Sequence, residues 1–423
     1  MRVLLLGGGG REHALAWAIS ASPLLDQLFI APGNPGMTEF GTLVPLQIDN
    51  RSAIVTFAKE NQIDLVVVGP EAPLVAGIAD DLGAAGLRVF GPSKAAAQLE
   101  GSKDFTKSVA IAAGAPTATY QTFTDAAAAR AYVTRMGAPI VVKYDGLMAG
   151  KGVTVAATVV EAIGAIDALY ASEAGARVVI EECMMGEEAS YFCLVDGETV
   201  LPFGAAQDHK RAFDGDTGPN TGGMGVYSPP PVFTPEIERQ TLEMIVKPVA
   251  AEMVRRGMPY RGVLFVGLMI DVTGPRLIEF NCRFGDPECQ VLMLRLKDDL
   301  LTLLDGVARG QLRHLSARFH AHHAVGVVMA TKGYPGAYPS GSPIGGLDDA
   351  AAMPGAVIFH AGTRLASGQL VAAGGRVLTI CATGRDLPEA RTRAYDAVAK
   401  VNWPGGFCRS DIGANGIARL KGH

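Results

Sequence analysis

Short apolar runs recur through the first hundred residues, and a turn rich in glycine and proline follows each one. The runs cover residues 3–6, 28–31, 65–68 and 89–90, and the turns cover residues 7–10, 32–36, 69–73 and 91–93. Runs that are apolar at every position are typical of strands buried on both faces of a parallel sheet. Ligands of such a sheet bind beyond the carboxyl ends of its strands. The pattern therefore predicts an open α/β fold with a site along these turns.

The pattern changes near residue 101 and again near residue 324. After residue 101 it predicts helices at 103–113, 125–135 and 160–170, strands at 119–122, 140–143 and 178–182, and a glycine-rich loop at 145–152. Strand pairs then follow at 191–203 and 262–281, which is typical of antiparallel sheet. After residue 324 we expect strands at 325–330, 357–360, 369–372 and 376–382 and a helix at 387–401. The chain should therefore be a multidomain protein of α/β and α+β parts, ending in a small mixed β/α domain.

Composition excludes several classes of protein. The net charge of the 423 residues is −5, and no block of Lys and Arg is present to release counterions from nucleic acid. The N-terminal apolar run is too short for a signal peptide or a membrane span. The six cysteines are scattered without a C-x-x-C pair, which is typical of free thiols in a reducing compartment. We therefore expect a cytoplasmic protein that binds neither nucleic acid nor membrane.

The most distinctive stretch is residues 279–290, Glu-Phe-Asn-Cys-Arg-Phe-Gly-Asp-Pro-Glu-Cys-Gln. Glu279 and Asn281 alternate off the end of an apolar run, so both side chains should lie on one face of a strand. A carboxylate and an amide oxygen suit a hard cation such as Mg²⁺, which keeps phosphate and water as its other ligands. Arg283 has the same parity and adds a planar fork for a carboxylate or phosphate. The alternative is an ordinary strand that ends in a polar turn.

Lysines and glycines at 143–152 point to phosphate. Lys143 ends an apolar strand and must bury its stem, which favours a functional role over a solvated lysine. The loop that follows contains Gly150, Lys151 and Gly152, but its spacing is one residue short of a P-loop and lacks the Ser or Thr that would hold Mg²⁺. A mobile lid over a triphosphate is the better interpretation.

Paired acids end another apolar strand at Glu181 and Glu182, and Glu188 follows a few residues later. Such acids could bind a ribose diol and an adenine amine, while the backbone of Cys183 and Met184 reads the edge of the base. The alternative is a solvated turn, and the pattern by itself favours that alternative.

The N-terminal glycine turn invites a dinucleotide-binding interpretation that its spacing opposes. The third glycine of G-x-G-x-x-G falls on Glu12, and no acidic residue ends the second strand. A phosphate or ribose seat at the helix N-terminus fits better. His13 would then assist, or would simply be a satisfied helix residue.

Residues 207–211 and 214–225 are polar, rich in glycine and without periodicity. A loop this long in a compact domain is normally functional or disordered, and its mixed charge suits a cover over substrate. His320, His322 and His323 have no acidic or Cys partner nearby, so a linker is favoured over a metal site.

Several of these stretches together resemble a known family. They are Gly-Gly-Arg-Glu-His-Ala at 9–14, Ala-Pro-Gly-Asn at 31–34, Val-Gly-Pro-Glu-Ala-Pro-Leu at 68–74, Leu-Glu-Gly-Ser-Lys at 99–103, Gly-Lys-Gly-Val at 150–153, Gly-Glu-Glu-Ala-Ser at 186–190, Gln-Asp-His-Lys-Arg at 207–211, Thr-Gly-Pro-Asn-Thr-Gly-Gly-Met-Gly at 217–225 and Arg-Phe-Gly-Asp-Pro-Glu-Cys-Gln at 283–290. They resemble the phosphoribosylamine–glycine ligase (glycinamide ribonucleotide synthetase) family of the ATP-grasp superfamily, and the likeness runs essentially from Met1 to the C-terminus.

The resemblance implies four parts: an N-terminal α/β substrate-binding domain at 1–102, a first ATP-grasp lobe with a glycine-rich lid at 103–190, a second lobe with the metal site at 191–323, and a C-terminal domain at 324–423. By motif position it implies the following ligands. ATP would contact Lys103, Lys143, Gly150, Lys151, Gly152, Glu181, Glu182, Cys183, Met184 and Glu188; Mg²⁺ or Mn²⁺ would contact Glu279 and Asn281. The substrates would contact Gly9, Gly10, Glu12, His13, Pro32, Gly33, Asn34, Asn220 and Gly223, and Arg283, Lys210 and Asp208 would be catalytic.

The implied reaction consumes ATP, glycine and 5-phosphoribosylamine and gives glycinamide ribonucleotide, ADP and phosphate through a glycyl phosphate. We expect these small molecules as the partners and a monomer as the oligomeric state. The strand before Glu279 carries no acid until Asp271 at its turn, which leaves a third protein ligand for the metal in doubt. Three alternatives remain: another ATP-grasp ligase, a dehydrogenase that binds NAD, and a nucleotide-binding regulator without turnover.

Overall fold

A computed structural model describes residues 1–147, 152–173 and 175–422. The first hundred residues form a five-stranded parallel sheet of order β3-β2-β1-β4-β5. Its strands are β1 (Arg2–Gly7), β2 (Gln27–Pro32), β3 (Thr42–Leu43), β4 (Leu65–Val68) and β5 (Arg88–Phe90), and its helices are α1 (Gly10–Ser20), α2 (Arg51–Glu60), α3 (Glu71–Ala76) and α4 (Ile78–Ala84). The predicted open parallel sheet is confirmed.

Strand β1 shows why its apolar run is continuous. Val3 and Leu5 pack into one hydrophobic cluster and Leu4 and Leu6 into another, so both faces of the strand are buried. The strand then ends in the glycine turn, where Gly7 adopts φ +123°, a conformation that side chains rarely adopt. This places the turn and the start of α1 beyond the carboxyl end of the sheet.

The second region is a four-stranded antiparallel sheet of order β6-β9-β7-β8 with helices packed on it. Its elements are α5 (Gln98–Gly101), α6 (Lys103–Ala112), β6 (Tyr120–Phe123), α7 (Ala126–Met136), β7 (Ile140–Tyr144), β8 (Val153–Ala156), α8 (Val159–Ser172) and β9 (Val178–Glu182). Val142 and Ile180 face the helices, where Val133 and Ile166 complete one core. The opposite face carries Lys143 and Glu181, one position along each strand.

The rest of the molecule is built around a nine-stranded sheet of order β16-β15-β10-β11-β14-β17-β21-β18, with β22 paired to β17, and also contains two separate two-stranded sheets, β12-β13 and β19-β20. Its first part contains β10 (Glu187–Asp196), β11 (Thr199–Asp208), β12 (Arg211–Phe213), β13 (Thr217–Asn220), β14 (Gly225–Ser228), α9 (Pro235–Thr241), α10 (Lys247–Arg255), β15 (Arg261–Asp271), β16 (Gly274–Asn281), α11 (Glu288–Arg295) and α12 (Leu300–Ala308). Its last part contains β17 (His323–Thr331), α13 (Leu347–Ala351), β18 (Ala356–His360), β19 (Thr363–Ala366), β20 (Gln369–Ala372), β21 (Arg376–Gly384), α14 (Leu387–Val398), β22 (Gly406–Phe407) and α15 (Ala414–Lys421).

The C-terminal strands therefore continue the preceding sheet. Strand β14 pairs antiparallel with β17, with Tyr227 opposite Val325. The multidomain α/β and α+β class is confirmed. However, one sheet contains strands from both sides of the predicted domain boundary at residue 323, joined by backbone hydrogen bonds.

The polar stretch at 207–225 is more regular than its sequence indicates. Strands β12 and β13 form a hairpin in which Arg211 faces Asn220, and Arg211 Nη1 donates to the Gly218 carbonyl at 2.8 Å. Buried Arg409 pairs with Asp216 of this hairpin at 2.8 Å. Hydrophobic periodicity could not reveal the hairpin, because its order comes from contacts with a segment almost 200 residues away.

Within the described ranges, no helix is long and apolar enough to cross a membrane.

Candidate active site

Glu279 and Asn281 lie at the end of β16, on the same face of the strand, as their spacing predicts. Burial alone would raise the pKa of Glu279, but nearby positive charges hold it below its ordinary value. Those charges belong to Lys210, Lys143, Lys103 and Arg283. Glu279 therefore stays ionised in a partly enclosed site, as a ligand of a divalent cation must.

Glu279 and Asn281, the predicted metal ligands, would suit a cation that takes few ligands from the protein. No cluster of three or more His, Cys, Asp or Glu side chains able to hold a metal occurs among the described residues. Asp271 accepts from the Thr273 backbone N–H at 2.7 Å in an exposed turn. A carboxylate, an amide and substrate oxygens are a donor set that suits Mg²⁺ or Mn²⁺.

Two of the lysines predicted to hold phosphates, Lys103 and Lys143, place their charges near Glu279. Lys103 begins α6, and its Nζ donates to the Gly146 carbonyl at 2.9 Å, at the base of the glycine-rich loop. Burial and the nearby charge of Lys143 lower the pKa of Lys103, although Glu279 opposes the shift. Lys143 is only 4% exposed, so the expected burial of its stem is confirmed.

Glu181 forms a buried charge cluster that the sequence did not predict. Its Oε2 lies 2.9 Å from Lys143 Nζ and 3.2 Å from Lys107 Nζ, and all three side chains are buried. Lys107 also donates to Thr117 Oγ1 at 2.8 Å, and that hydroxyl donates to the Leu277 carbonyl on the metal strand at 2.8 Å. This chain of contacts joins the end of β9 to β16.

The other acids of this region are ion-paired as well. Glu182 accepts from Arg276 on β16 and from Thr119 Oγ1 at 2.6 Å, so it is not the solvated acid of a free turn. Glu188 pairs with Lys210, and both side chains are partly exposed. Cys183 and Met184, predicted to read the base, are half-buried beyond the end of β9.

Asp208 and Lys210 follow one another at the end of β11, beside a further acid, Glu288. Burial raises the pKa of Asp208 to about 7, and Glu288 and Glu188 add to the shift while Lys210 opposes it. The pKa of Glu288 is also raised by burial, and its Oε1 accepts from Ser190 Oγ at 3.1 Å. Burial and the neighbouring acids therefore favour the protonated form of Asp208 more than in an ordinary aspartate.

Arg283 is held by carboxylates. Its Nη2 donates to Glu100 at 2.9 Å and to Asn281 Oδ1 at 3.0 Å, and its Nε lies 3.4 Å from Glu71. Burial alone would lower the pKa of Arg283, but Glu100 and Glu71 raise it above the usual range. Arg283 thus links Asn281 to Glu100 and Glu71 of the N-terminal region. The sequence had predicted only that the guanidinium would bind a carboxylate or a phosphate.

The glycine turn before α1 is lined by acids. Glu12 caps its own helix, because its Oε2 accepts from the Gly9 backbone N–H at 2.7 Å. A methyl group on Gly10 would lie 2.6 Å from Gln290 Nε2 and 3.4 Å from Asp286 Oδ1. A side chain on Gly10 would displace the Gln290 amide, because the segment around Asp286 packs closely against the turn.

His13, Pro32, Gly33 and Asn34 lie next to the glycine turn, and Gly33 and Asn34 hydrogen-bond to its carbonyls. His13 is buried, its Nδ1 accepts from the His360 backbone N–H at 2.8 Å, and burial lowers its pKa to about 3. Asn34 Nδ2 donates to the carbonyls of Gly8 at 3.0 Å and His360 at 2.8 Å. A neutral, hydrogen-bonded His13 agrees with the alternative of a satisfied helix residue, and its role towards substrate stays a prediction.

Asn220 and Gly223 lie at the end of the β12–β13 hairpin and just after it. Thr221 between them donates twice to the Lys210 carbonyl, from its backbone N at 2.8 Å and from its Oγ1 at 2.9 Å. The hairpin thereby returns to Lys210. Gly152 lies within the described residues and accepts from the Tyr144 N–H at 2.8 Å, whereas Gly150 and Lys151 lie outside them.

The sequence missed Lys107, Arg276, Glu288 and Arg376 as site residues. A signal existed for two of them: Lys107 is one helical turn after Lys103, and Glu288 belongs to the signature at 283–290. Arg276 and Arg376 had none, since their partners are remote in sequence.

Comparison with known proteins agrees with this geometry. Three family models match in succession: the phosphoribosylglycinamide synthetase N domain over residues 1–100, its ATP-grasp (A) domain over residues 101–289 and its C domain over residues 324–415. The chain belongs to the phosphoribosylglycinamide synthetase family.

Relatives and solved structures place it in the same family. A phosphoribosylamine–glycine ligase of Mesorhizobium japonicum is 59% identical over 100% of both chains. The crystal structure of a phosphoribosylamine–glycine ligase from Thermotoga maritima has a TM-score of 0.85 at 32% identity, covering 97% of this chain and 100% of its own. At 17% identity, the biotin carboxylase domain of Hydrogenobacter thermophilus 2-oxoglutarate carboxylase, solved with MgADP, shares the fold with a TM-score of 0.72, covering 96% of this chain and 91% of its own. The family resemblance seen in the sequence is confirmed.

Proposed function

We propose that this chain ligates glycine to 5-phosphoribosylamine at the expense of ATP, giving glycinamide ribonucleotide, ADP and phosphate for purine biosynthesis. Glycine's carboxylate attacks the γ-phosphate, which releases ADP and forms glycyl phosphate. The sugar amine then attacks the acyl carbon, and phosphate leaves. The single observation that carries the proposal is an ionised Glu279 encircled by Lys103, Lys143 and Lys210, the charge arrangement that a polyphosphate and a cation require.

The cofactors of the proposal are ATP and Mg²⁺ or Mn²⁺, with Glu279 and Asn281 as the protein ligands. The bound ion would neutralise charge on the phosphates during transfer. Lys103 and Lys143 would hold phosphate oxygens, and both are already fixed by contacts on one side, to Gly146 and to Glu181. We also propose a lid over the phosphates that includes Gly150 and Lys151. The protein would act as a monomer in the cytoplasm.

Asp208 is the group that we assign to the proton of the attacking amine. Its pKa of about 7 allows it to accept a proton at neutral pH and then release it. Despite burial, the charges of Glu188 and Asp208 raise the pKa of Lys210, so its side chain stays protonated. This ammonium group would stabilise the leaving phosphate. Neither step of this route needs a covalent nucleophile on the protein. The acids and lysines near the end of β16 would act through charge and proton transfer alone.

The test is phosphate release with purified protein, ATP and Mg²⁺, with glycine and phosphoribosylamine supplied singly and together. Release that requires both, with glycinamide ribonucleotide identified by mass, supports the proposal. Release with glycine and a different amine would indicate another ATP-grasp ligase. Binding of ATP without any release would indicate a regulator, and NAD(H) binding in a fluorescence titration would indicate a dehydrogenase.

A further inference from the structure

Three buried side chains form a charge cluster beside the proposed nucleotide site: Lys107 on α6, Lys143 on β7 and Glu181 on β9. Both ammonium groups contact the same carboxylate oxygen, because Glu181 Oε2 lies 3.2 Å from Lys107 Nζ and 2.9 Å from Lys143 Nζ. The other oxygen, Oε1, is buried and has no hydrogen-bond partner within the described part of the chain. Two cations therefore share one anion.

We propose that Lys107 is a positioning residue for Lys143: by sharing the Glu181 carboxylate, it leaves the charge of Lys143 available to the nucleotide phosphates. This role rests on the proposed function, which assigns those phosphates to Lys143. Lys107 was not among the predicted site residues, and the proposed chemistry does not otherwise use it.

Lys107 has no surface from which to bind a phosphate itself. The residue is only 1% exposed. Of the three N–H donors of its ammonium group, one is directed to Thr117 Oγ1 at 2.8 Å and another to Glu181, and Nζ lies 6.0 Å from the centroid of the Tyr120 ring. Lys107 can therefore act on a bound nucleotide only through Glu181.

The position of Lys107 is fixed from the strand that carries the proposed metal ligands. Thr117 Oγ1, which accepts from Lys107, donates in turn to the Leu277 carbonyl at 2.8 Å. Leu277 lies on β16, two residues before Glu279. Burial lowers the pKa of Lys107 to about 8, although Glu181 opposes the shift, so the side chain is still charged at pH 7. A fixed positive charge thus lies on the side of Glu181 away from solvent.

Lys143 is within reach of both groups of charges. It contacts Glu181, and its positive charge also acts on Glu279 and on Lys103. With Lys107 present, the cluster has a net charge of about +1 that attracts a polyphosphate. Without Lys107, the other two side chains would form a neutral ion pair, and the carboxylate would oppose the binding of phosphate.

The experiment compares the unmodified protein with Lys107→Met, Lys107→Gln and Lys107→Arg, and with the control Lys59→Met, which changes an exposed lysine on α2. Calorimetry at pH 7 with Mg²⁺ measures Kd for ADP and for adenosine, which has the base and the ribose but no phosphate. The two neutral variants should raise Kd for ADP by about 5- to 50-fold, the scale of coupling between charged groups in contact, and should change Kd for adenosine by less than about twofold. Lys107→Arg should lose less ADP affinity than the neutral variants because it keeps the charge.

A double variant tests the charge balance directly. Lys107→Met combined with Glu181→Gln leaves Lys143 as the charged member of the cluster, so the net charge returns to that of the unmodified protein. Relative to adenosine, this double variant should bind ADP more tightly than Lys107→Met does. Lys107→Gln keeps a hydrogen-bonding group beside Thr117, and it decides the comparison if Lys107→Met does not fold.

Unchanged binding of ADP in the neutral variants would overturn the inference. So would an equal weakening of ADP and adenosine together with a lowered Tm, because that pattern means that Lys107 only stabilises the fold. A failure of the proposed function is distinct, since the unmodified protein would then form no glycinamide ribonucleotide from ATP, glycine and phosphoribosylamine.

Discussion

Glu279 is the side chain on which the proposed chemistry depends, because the positive charges of three lysines and one arginine act on it. Its pKa stays low despite burial because Lys210, Lys143, Lys103 and Arg283 surround it. Removing its charge would leave those cations to repel one another and would remove one of the two proposed protein ligands of the ion.

Glu279→Gln should therefore lower kcat by at least about 100-fold, the scale expected when charge stabilisation in the transition state is lost. Asp271→Asn, at the exposed turn that begins at the end of β15, is the matched control and should keep near-normal activity. Both variants should keep the circular dichroism spectrum of the unmodified protein. Full activity in Glu279→Gln would refute the assignment.

His13 gives the protein a pH-dependent stability. Burial lowers the pKa of His13 to about 3 and that of His360 to about 4, whereas both would be near 6.5 in the unfolded chain. The unfolded state then binds more protons, so this contribution is fully present above pH of about 6.5 and is lost as pH falls towards about 4. Each histidine should contribute up to about 1.4 kcal/mol per pH unit in that window.

Urea unfolding at pH 7.5 and pH 5 measures this effect. His13→Gln, which can still accept from the His360 N–H, should lose part of the pH dependence. The exposed His314→Gln should retain all of it. An identical slope in His13→Gln and the unmodified protein would contradict the burial of a neutral imidazole.

Residue-level prediction from the sequence succeeded where a residue's own position set its environment. Lys143 ends an apolar strand, and the structure buries it as that position requires. The sequence could not show that Arg283 binds Glu71 and Glu100, about 200 positions earlier, or that Glu181 shares its charge with Lys107. Such pairs depend on which elements the fold brings together.

Among the elements, the end of β9 and the start of α6 are joined by one buried charge cluster. It contains Lys107, Lys143 and Glu181, two cations around one anion. Removing the anion leaves two buried ammonium groups unpaired, whereas removing one cation leaves a balanced pair.

Glu181→Gln should consequently cost more stability than Lys107→Met. We expect a loss of about 3–5 kcal/mol for the former and about 1–2 kcal/mol for the latter, with Lys59→Met, an exposed helix lysine, within about 0.5 kcal/mol of the unmodified protein. Chemical denaturation supplies the free energies of unfolding. The reverse order for the two buried residues would show that they do not share one ion-pair cluster.

The sequence predicted secondary-structure elements accurately where a clear run lies between turns. It failed where the element is short or depends on remote contacts. The strand at 178–182 and that at 369–372 have the predicted bounds, because each is a compact run between turns. Strand β3 has two residues and no apolar run of its own, and the β12–β13 hairpin depends on Arg409. Neither leaves a local pattern that could have been found.

At the scale of the whole molecule, the nine-stranded sheet makes the C-terminal part structurally necessary. Strand β17 lies between β14 and β21, and the buried Val325 and Val327 lie on it. The domain boundaries at 102, 190 and 323 stay a prediction.

A chain that ends at residue 323 should therefore fail to unfold cooperatively, because β14 loses its antiparallel partner and an apolar edge is exposed. A chain that ends at Gly413 loses only α15 (Ala414–Lys421), most of which is not buried, and should fold. Circular dichroism melting and size-exclusion chromatography distinguish the two. A cooperative, monodisperse product from the shorter chain would show that the sheet does not need β17.

The most direct test of the account is a crystal of the protein with ADP and Mn²⁺, in which the ion is located by its anomalous signal. We expect an ion at about 2.0–2.3 Å from oxygens of Glu279 and Asn281, in contact with the diphosphate near Lys103 and Lys143. An ion and diphosphate bound away from the end of β16 would contradict it.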